Sequence, residues 1–414
     1  MISETDRLRR VERIFVRSGV IWQLGTQGYW LLFFVRLVVD LDLDPLQLVL
    51  LGTAKEITVL ASEIPTGVVA DLYSRKWSVV MAFLISGTSV ILAGVLDSFL
   101  LLLISSALWG FGLTFRSGAE TAWLTDELGS AEAAEPIVIR RARIELIAVV
   151  LGAAAAAGLA MAFSLSSALI VLGSGLVLQG ASLAVSMPET GFRRVRERRA
   201  RQLRQLLTEG ATAVRRVSAL RILFAATVMA GFGSEAVDRL YVRRLDDLSV
   251  VGWTGREVVV VGAILVAQSI GAAILLRIFG RRLQGTALVP ALALLLAGTA
   301  VGVIILAQVN VLYLAALGLI IQGTMRSISK PVVVVWTNAY AANNTRATVH
   351  SFIGQAHSLG EITGGIVLGL VAALTNLSTA LTGSAILYSL AAATAWQARR
   401  SRQSGPELPA PGPV

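Results

Sequence analysis

Apolar runs of about twenty residues recur along this chain, from near Ile14 to Ala398, and they constrain its fold more than any other feature. The hydrocarbon core of a bilayer is roughly 30 Å thick, and a helix needs about 20 residues to cross it. Runs such as Leu146 to Leu165 and Ala287 to Ala307 carry no charge. They also lack the short alternating segments of a membrane β-barrel, so helices are indicated. Only 15% of the residues are charged, against roughly a quarter in soluble domains. With charges and Gly/Pro/Asn clusters as boundaries, helices are predicted over 14–39, 46–70, 77–96, 99–125, 138–162 and 167–187, then over 218–240, 256–279, 286–308, 311–335, 347–373 and 377–398.

A net charge of +10 would suit nucleic acid, but the placement of the charges argues against it. Arginines gather before Phe15, from Arg193 to Arg221, at Arg281 and Arg282, and after Ala398. If the helices alternate, all of these lie on one side, and the positive-inside rule puts both termini in the cytoplasm. Arg243, Arg244 and Arg256 are the exception, in a predicted external loop with Asp246 and Asp247. Cysteine is absent and the only histidines are His350 and His357, which excludes disulfides, thiolate sites and a histidine-rich metal cluster. No phosphate-binding loop occurs, so no cofactor is expected and an ion gradient is the expected energy source. The N-terminal apolar run follows a polar stretch without a small-residue cleavage site and is read as the first helix.

The polar, arginine-rich stretch 188–216 separates two halves, 1–187 and 217–398, each with six predicted helices. Leu203, Leu206 and Leu207 seed it with helix formers, while the proline-containing tail 399–414 is expected to be disordered. Such a 6+6 layout places a substrate path where two related bundles face each other.

The turn between the second and third predicted helices carries Gly67, Asp71, Arg75 and Lys76 in the pattern Gly-x-x-x-Asp-x-x-x-Arg-Lys. This resembles the signature loop of the major facilitator superfamily. The resemblance implies an all-α membrane fold of twelve helices in two pseudo-symmetric bundles, and a latch role for Asp71 and Arg75 in holding the bundles together on the cytoplasmic side. Glu63-Ile-Pro-Thr-Gly67, the stretch from Ser117 through Trp123 and Asp126, and Arg346-Ala-Thr followed by Gln355, Gly364 and Gly365 look like a bacterial branch grouped with macrolide-type drug:proton antiporters. Two departures leave the antiporter signature of other drug:proton families incomplete, so export is implied by the resemblance alone. The fifth helix has Gly152 and Gly158 but no Gly-Pro pair, and the loop after the eighth keeps only Gly280, Arg281 and Arg282.

Charges inside apolar helices cost about 2.5–3.5 kcal/mol on insertion scales and normally face a bundle interior or water. Glu56 and Glu63 lie on one face of the second helix, about 10 Å apart along its axis. Desolvation favours proton uptake by such acids, so both are proton-coupling candidates, with pairing to a neighbouring arginine or helix end as the alternative for Glu63. Lys55 should point away from Glu56. His357 and Glu361, four apart on the eleventh helix, are the second candidate pair. Arg116 and Glu120 can bridge on the fourth helix, near its cytoplasmic end. Arg140, Arg141 and Arg143 read as interface anchors, with Arg143 and Glu145 able to reach the latch. Glu235, Asp238 and Arg239 approach the outer end of the seventh helix, and Arg326 and Lys330 the cytoplasmic end of the tenth. Trp22, Gln23 and Gln27, with Tyr29 and Trp30, are candidates to line a cavity or to anchor the first helix at the interface.

Together these features lead to the expectation of a secondary carrier in the bacterial inner membrane, working by alternating access and exporting a small, partly apolar compound in exchange for protons. Its expected partners are that substrate, protons and lipid, with no nucleic acid, and a monomer is the expected unit. Metabolite uptake and lipid movement remain alternatives. An intramembrane enzyme would need a nucleophile and base that two histidines on one helix do not supply. A sensor would need an appended signalling domain.

Overall fold

Polar punctuation sets the helix ends. Ser74, Ser130 and Ser164 each sit in extended backbone and accept from an amide three residues on, which starts the third, sixth and seventh helices. The computed structural model describes residues 4–192, 208, 210–249, 256–280, 288–341 and 346–403, all helical or in short connections. The first helices are α1 (Glu4–Val39), α2 (Pro45–Leu72), α3 (Arg75–Val95), α4 (Phe99–Arg116), α5 (Ala119–Leu128), α6 (Ala131–Ala162) and α7 (Leu165–Ser186). They are followed by α8 (Ser218–Asp247), α9 (Glu257–Phe279), α10 (Leu288–Gln308), α11 (Leu312–Tyr340), α12 (Arg346–Leu374) and α13 (Leu377–Gln403). Ten spans among the described residues are long and apolar enough to cross a membrane, α4 and α5 counting as one. Charged and amide side chains, such as Gln23 and Gln27 on α1 and Lys55, Glu56 and Glu63 on α2, lower the hydropathy of the two helices that fall outside this set.

Three expectations are corrected. The predicted fourth helix breaks after Arg116, because Gly118 adopts φ 75°, a left-handed value open chiefly to glycine, and the chain restarts as α5. Arg243 to Asp247 form the last turn of α8 instead of an external loop. The final helix runs on to Gln403, into the expected tail. Leu203, Leu206, Leu207, Arg281, Arg282 and the proline-containing end lie outside the described residues.

The chain divides into two compact units: Met1–Leu43 with Ala54–Glu197 and Trp253–Val266, and Asp44–Thr53 with Arg198–Gly252 and Ala267–Val414. The sequence boundaries of the expected halves therefore differ from those of the units at α2 and α9. In the first unit, α3 packs on α4 and α7. Ser89 and Ser105 exchange hydroxyl-to-carbonyl hydrogen bonds of 2.8 Å, and Gly87 and Gly173 bring the α3 and α7 backbones into contact. Trp109 stacks on Tyr29 and Trp22 at 4.3 and 5.9 Å between ring centroids. Without a hydrophobic force between helices in lipid, close packing of small residues carries such contacts. In the second unit Gly302 and Gly318 let α10 and α11 approach as closely. The same sequence interval separates Ser89 from Gly302, Ser105 from Gly318, Gly110 from Gly323 and Lys55 from Gln268, and Gly110 abuts Lys55 as Gly323 abuts Gln268.

One arginine per unit repeats this internal kinship in chemistry. Arg36 on α1 donates to the carbonyls of Ala93 and Leu96 at the end of α3, both at 3.0 Å, and to Asp97 and Ser166. Arg244 on α8 donates to the carbonyls of Leu306, Ala307 and Val309 at the end of α10, and to Asn310. Each satisfies carbonyls that a helix end leaves without donors. Arg36→Ala and Arg244→Ala are each expected to lower stability by about 3 kcal/mol, since hydrogen bonds to charged groups contribute roughly 1.5–3 kcal/mol apiece. Thermal unfolding of the purified variants checks this, and an unshifted midpoint would refute the clasp.

Candidate functional site

Three groups of charged side chains gather in these apolar helices. The first surrounds the α2–α3 turn. Arg75 pairs with Asp71 at 3.4 Å, forms an ion pair with Asp126 on α5, and donates to the carbonyl of Ala122 at 2.8 Å. The chain after α7 then ties the turn down. Glu189 accepts from the Ser74 hydroxyl at 2.7 Å and the Lys76 amide at 2.9 Å. Glu127 accepts from the Thr190 and Gly191 amides at 2.5 and 2.8 Å, and Trp123 donates from its indole to the Pro188 carbonyl at 2.6 Å. Asp71 and Arg75 thus meet as their spacing suggests. Glu189, which the sequence alone does not single out, fixes the turn in place, and Glu127 holds the segment that carries it. Asp126 and Trp123 stand within the stretch that carried the family resemblance, and nothing local marks Glu189.

A second group lines a cavity of about 470 Å³ in the first unit. Arg116 bridges to Glu120 at 2.6 Å across the α4–α5 break, and Arg141 of α6 reaches the same carboxylate at 2.9 Å and Glu145 at 2.7 Å. Ser18 of α1 donates a short hydrogen bond to Glu120. The two guanidinium groups are seated on aromatic faces, Arg116 over Trp22 at 4.8 Å and Arg141 over Phe15 at 4.3 Å, arrangements that favour cations. Arg141 is therefore a buried member of this network and not an interface anchor. Arg143 is exposed, and Glu145 turns to Arg141 instead of the α2–α3 turn. Glu63 also borders the cavity, where it is exposed and its carboxylate accepts from the Ser117 hydroxyl at 3.5 Å. Trp22 is packed in the aromatic core, Gln23 and Gln27 are half-buried on α1, and none of the three borders this cavity.

Glu56 is buried, and Lys55 pairs with it while lying over the Trp30 ring at 5.4 Å. Adjacent helical positions diverge at Cβ, as the sequence reading assumed, but the long arm of lysine lets the ammonium fold back to its neighbour.

The third group belongs to the second unit. Asp238 of α8 and Arg326 of α11 form a two-pronged pair at 2.5 and 2.7 Å. Because α8 continues to Asp247 and α11 to Tyr340, both residues stand well inside their helices and not at opposite ends as expected. Arg239 donates to Glu235 at 2.7 Å, with only 7% and 1% of the two side chains exposed. His357 and Glu361 are 3.5 Å apart on α12, with His357 packed against Gly231 of α8. Spacing of four residues disclosed the pair of His357 and Glu361, whereas the pairing of Glu235 with Arg239 and the link from Asp238 to Arg326 come from the fold.

Known proteins share this architecture. The solved bacterial homologue of the human lysosomal transporter Spinster, in an inward-facing and unoccupied conformation, covers 99% of this chain and 100% of its own with a TM-score of 0.74 at 15% identity. A point mutant of the nucleoside transporter NupG covers 94% and 99% with a TM-score of 0.73 at 14% identity. A point mutant of a peptide transporter named POT covers 95% and 94% with a TM-score of 0.71 at 14% identity. At these identities the likeness is one of fold. An uncharacterized MFS-type transporter of Bacillus subtilis (strain 168), YxaM, is 29% identical over 100 residues, and the match spans 24% of this chain and 24% of that protein's length. The family model described as Major Facilitator Superfamily matches residues 18–307, most of the chain, and the protein belongs to that superfamily.

Proposed function

We propose that this protein is a proton-coupled carrier of the bacterial cell membrane that exports a small, partly apolar compound by alternating access. The observation that carries this reading is the set of acid–base pairs inside apolar helices of both units: Glu120 with Arg116 and Arg141 in one, Asp238 with Arg326 and His357 with Glu361 in the other. Ionisable groups are costly in such helices and mark ion and substrate paths in transport proteins. Glu56, Glu63, His357 and Glu361 are the proposed proton carriers, because each can exchange a proton for a partner or a ligand charge. Asp71, Arg75 and Lys76 belong to a latch that re-forms in each cycle, and Gly67 lets the helix ends beside it approach. Export over uptake rests on the resemblance of the Glu63–Gly67 and Ser117–Asp126 stretches to drug antiporters.

Proteoliposomes with an imposed pH gradient test the reading. Substrate movement should follow the gradient and collapse when it is dissipated, and the sign of the driving gradient separates export from uptake. Glu361→Gln should leave gradient-free exchange intact while losing uphill transport, and Asp71→Asn should slow both by at least tenfold. Transport indifferent to the gradient would remove proton coupling, and an unchanged rate in Asp71→Asn would remove the latch.

A further inference from the structure

The helix α1 is longer than a membrane is thick. Its 36 residues span about 54 Å, against roughly 30 Å of hydrocarbon. The turns before Ile14 are mostly polar, so this end of α1 stands at and beyond the membrane edge. Arg10, Arg13 and Arg17 fall within an arc of about 60° on one face of the helix, and all three are exposed. Arg10 Nη2 donates to the Ser186 carbonyl at 3.1 Å, Arg17 Nη2 to the Ser182 hydroxyl at 3.3 Å, and Arg13 Nε to the Arg9 carbonyl at 3.3 Å. These acceptors are neutral, and none of the three arginines forms an ion pair among the described residues. Glu12, on the same stretch, is taken by Arg140 of α6. The acid on the arginine face is Asp6, a turn before Arg10, so the face keeps a net positive charge.

The neighbouring helix supplies an apolar surface continuous with these cations. Val171, Leu178 and Val185 recur every seven residues on α7 and are all exposed, Val185 to 88%. Such a line of bare carbon on a membrane helix faces acyl chains. Ser182 is exposed within the same arc, so Arg17 reaches onto this face of α7, while Arg10 meets its end at Ser186. On the other flank of α7, exposed Trp77 stands in the first turn of α3 beneath the Lys76 ammonium, and the Lys76 amide meets Glu189 just past α7. Tryptophan gathers where hydrocarbon gives way to headgroups. Val185 therefore lies near that boundary, with the guanidinium groups at headgroup depth.

We propose that this face binds a phospholipid of net negative charge, its phosphate bonded by Arg10, Arg13 and Arg17 and an acyl chain lying along Val171, Leu178 and Val185. A guanidinium carries five N–H donors in a fork that matches phosphate oxygens. Arg10 and Arg17 are already held by α7, so little further ordering is needed to receive the headgroup. Arg13 stands between them along the axis, which lets one phosphate be bonded from two arginines at once. A zwitterionic lipid brings an ammonium or a quaternary nitrogen that the same arginines repel. Lipid binding here is independent of what the carrier moves.

The test is native mass spectrometry of the full chain, equilibrated in detergent with equal amounts of phosphatidylglycerol and phosphatidylcholine of the same acyl chains. One retained phosphatidylglycerol is expected, preferred about tenfold or more over phosphatidylcholine. The triple variant Arg10→Gln, Arg13→Gln, Arg17→Gln should lose the preference, and Arg143→Gln, at an exposed arginine of α6, should keep it. Arg13 bonds only within α1 among the described residues, so Arg13→Gln leaves the contacts to α7 in place; it should lower the preference about fivefold. Glycerol phosphate at the same concentration should not displace the lipid. Gel filtration and thermal unfolding report the fold of each variant. Equal retention of both lipids by the wild-type chain would overturn the proposal. So would displacement by glycerol phosphate, a matching loss in Arg143→Gln, or an undiminished preference in the folded triple variant or, should that variant misfold, in Arg13→Gln.

Discussion

Gly364→Val should lower stability by about 3 kcal/mol or more. The helix α12 meets α8 through Gly360-x-x-x-Gly364, and a Cβ at Gly364 would collide with the backbone carbonyl of Phe232, while one at Gly360 would strike the carbonyl of Val228. The reciprocal position, Gly231 on α8, lies against the backbone of His357. A flexible side chain could swing aside, but a helix backbone cannot, so the two helices must separate along their whole seam. Overpacking a well-packed core commonly costs about 1–3 kcal/mol, and a backbone obstacle puts this substitution at or above the upper end. Net stabilities are only about 5–15 kcal/mol. Gly354→Ala on the same helix is the control, because a Cβ there meets nothing within 4 Å. It should be neutral or slightly stabilising, alanine being the better helix former by about 1 kcal/mol. Monodispersity and thermal unfolding of the two variants decide the matter, and an unshifted midpoint in Gly364→Val would refute the close seam.

The second large effect is expected at Arg239. Arg239→Met removes the guanidinium that bonds Glu235 at 2.7 Å where the carboxylate side chain is only 1% exposed. Breaking a buried ion pair from one side costs about 3–5 kcal/mol, because the remaining charge keeps its desolvation penalty and loses the partner that offset it. The double variant Arg239→Met with Glu235→Gln should recover much of that loss. Gly52→Ala probes the same pair from α2, since a Cβ there would collide with both the Glu235 carboxylate and the Arg239 guanidinium. A single variant as stable as wild type, or a double variant worse than the sum of the singles, would show that the pair does not act as a unit.

How much of this was readable in advance follows from the range of each interaction. The apolar runs located the helices closely: α3 spans Arg75–Val95 where 77–96 was expected, and α9 spans Glu257–Phe279 where 256–279 was expected. Pairs four residues apart were legible for the same reason, as Arg116–Glu120, Arg75–Asp71 and His357–Glu361 show. Contacts between helices depend on rotation and axial offset, which periodicity does not report. Periodicity therefore places Asp238 at one end and Arg326 at the other, and reads Arg141 as an anchor. The break at Gly118 was hidden because its sequence context resembles those of glycines that remain helical. Glu189 stood in what read as plain linker, and only the folded chain returns it to the α2–α3 turn.

The arginine clasp has a meaning for the history of the chain. Arg36 and Arg244 close equivalent helix ends in their own units by the same chemistry, carbonyl by carbonyl. The sequence following Gly280 holds Gln284 and Leu288 where a second copy of the α2–α3 turn would hold Asp71 and Arg75. A feature present in both halves is one the ancestral half already possessed, and one present in a single half was gained or lost after duplication. Each half thus inherited its clasped end, while the turn at the opposite end is a feature of one half alone. Exchanging the clasped ends between the two halves should accordingly be better tolerated than replacing the α2–α3 turn by its diverged counterpart.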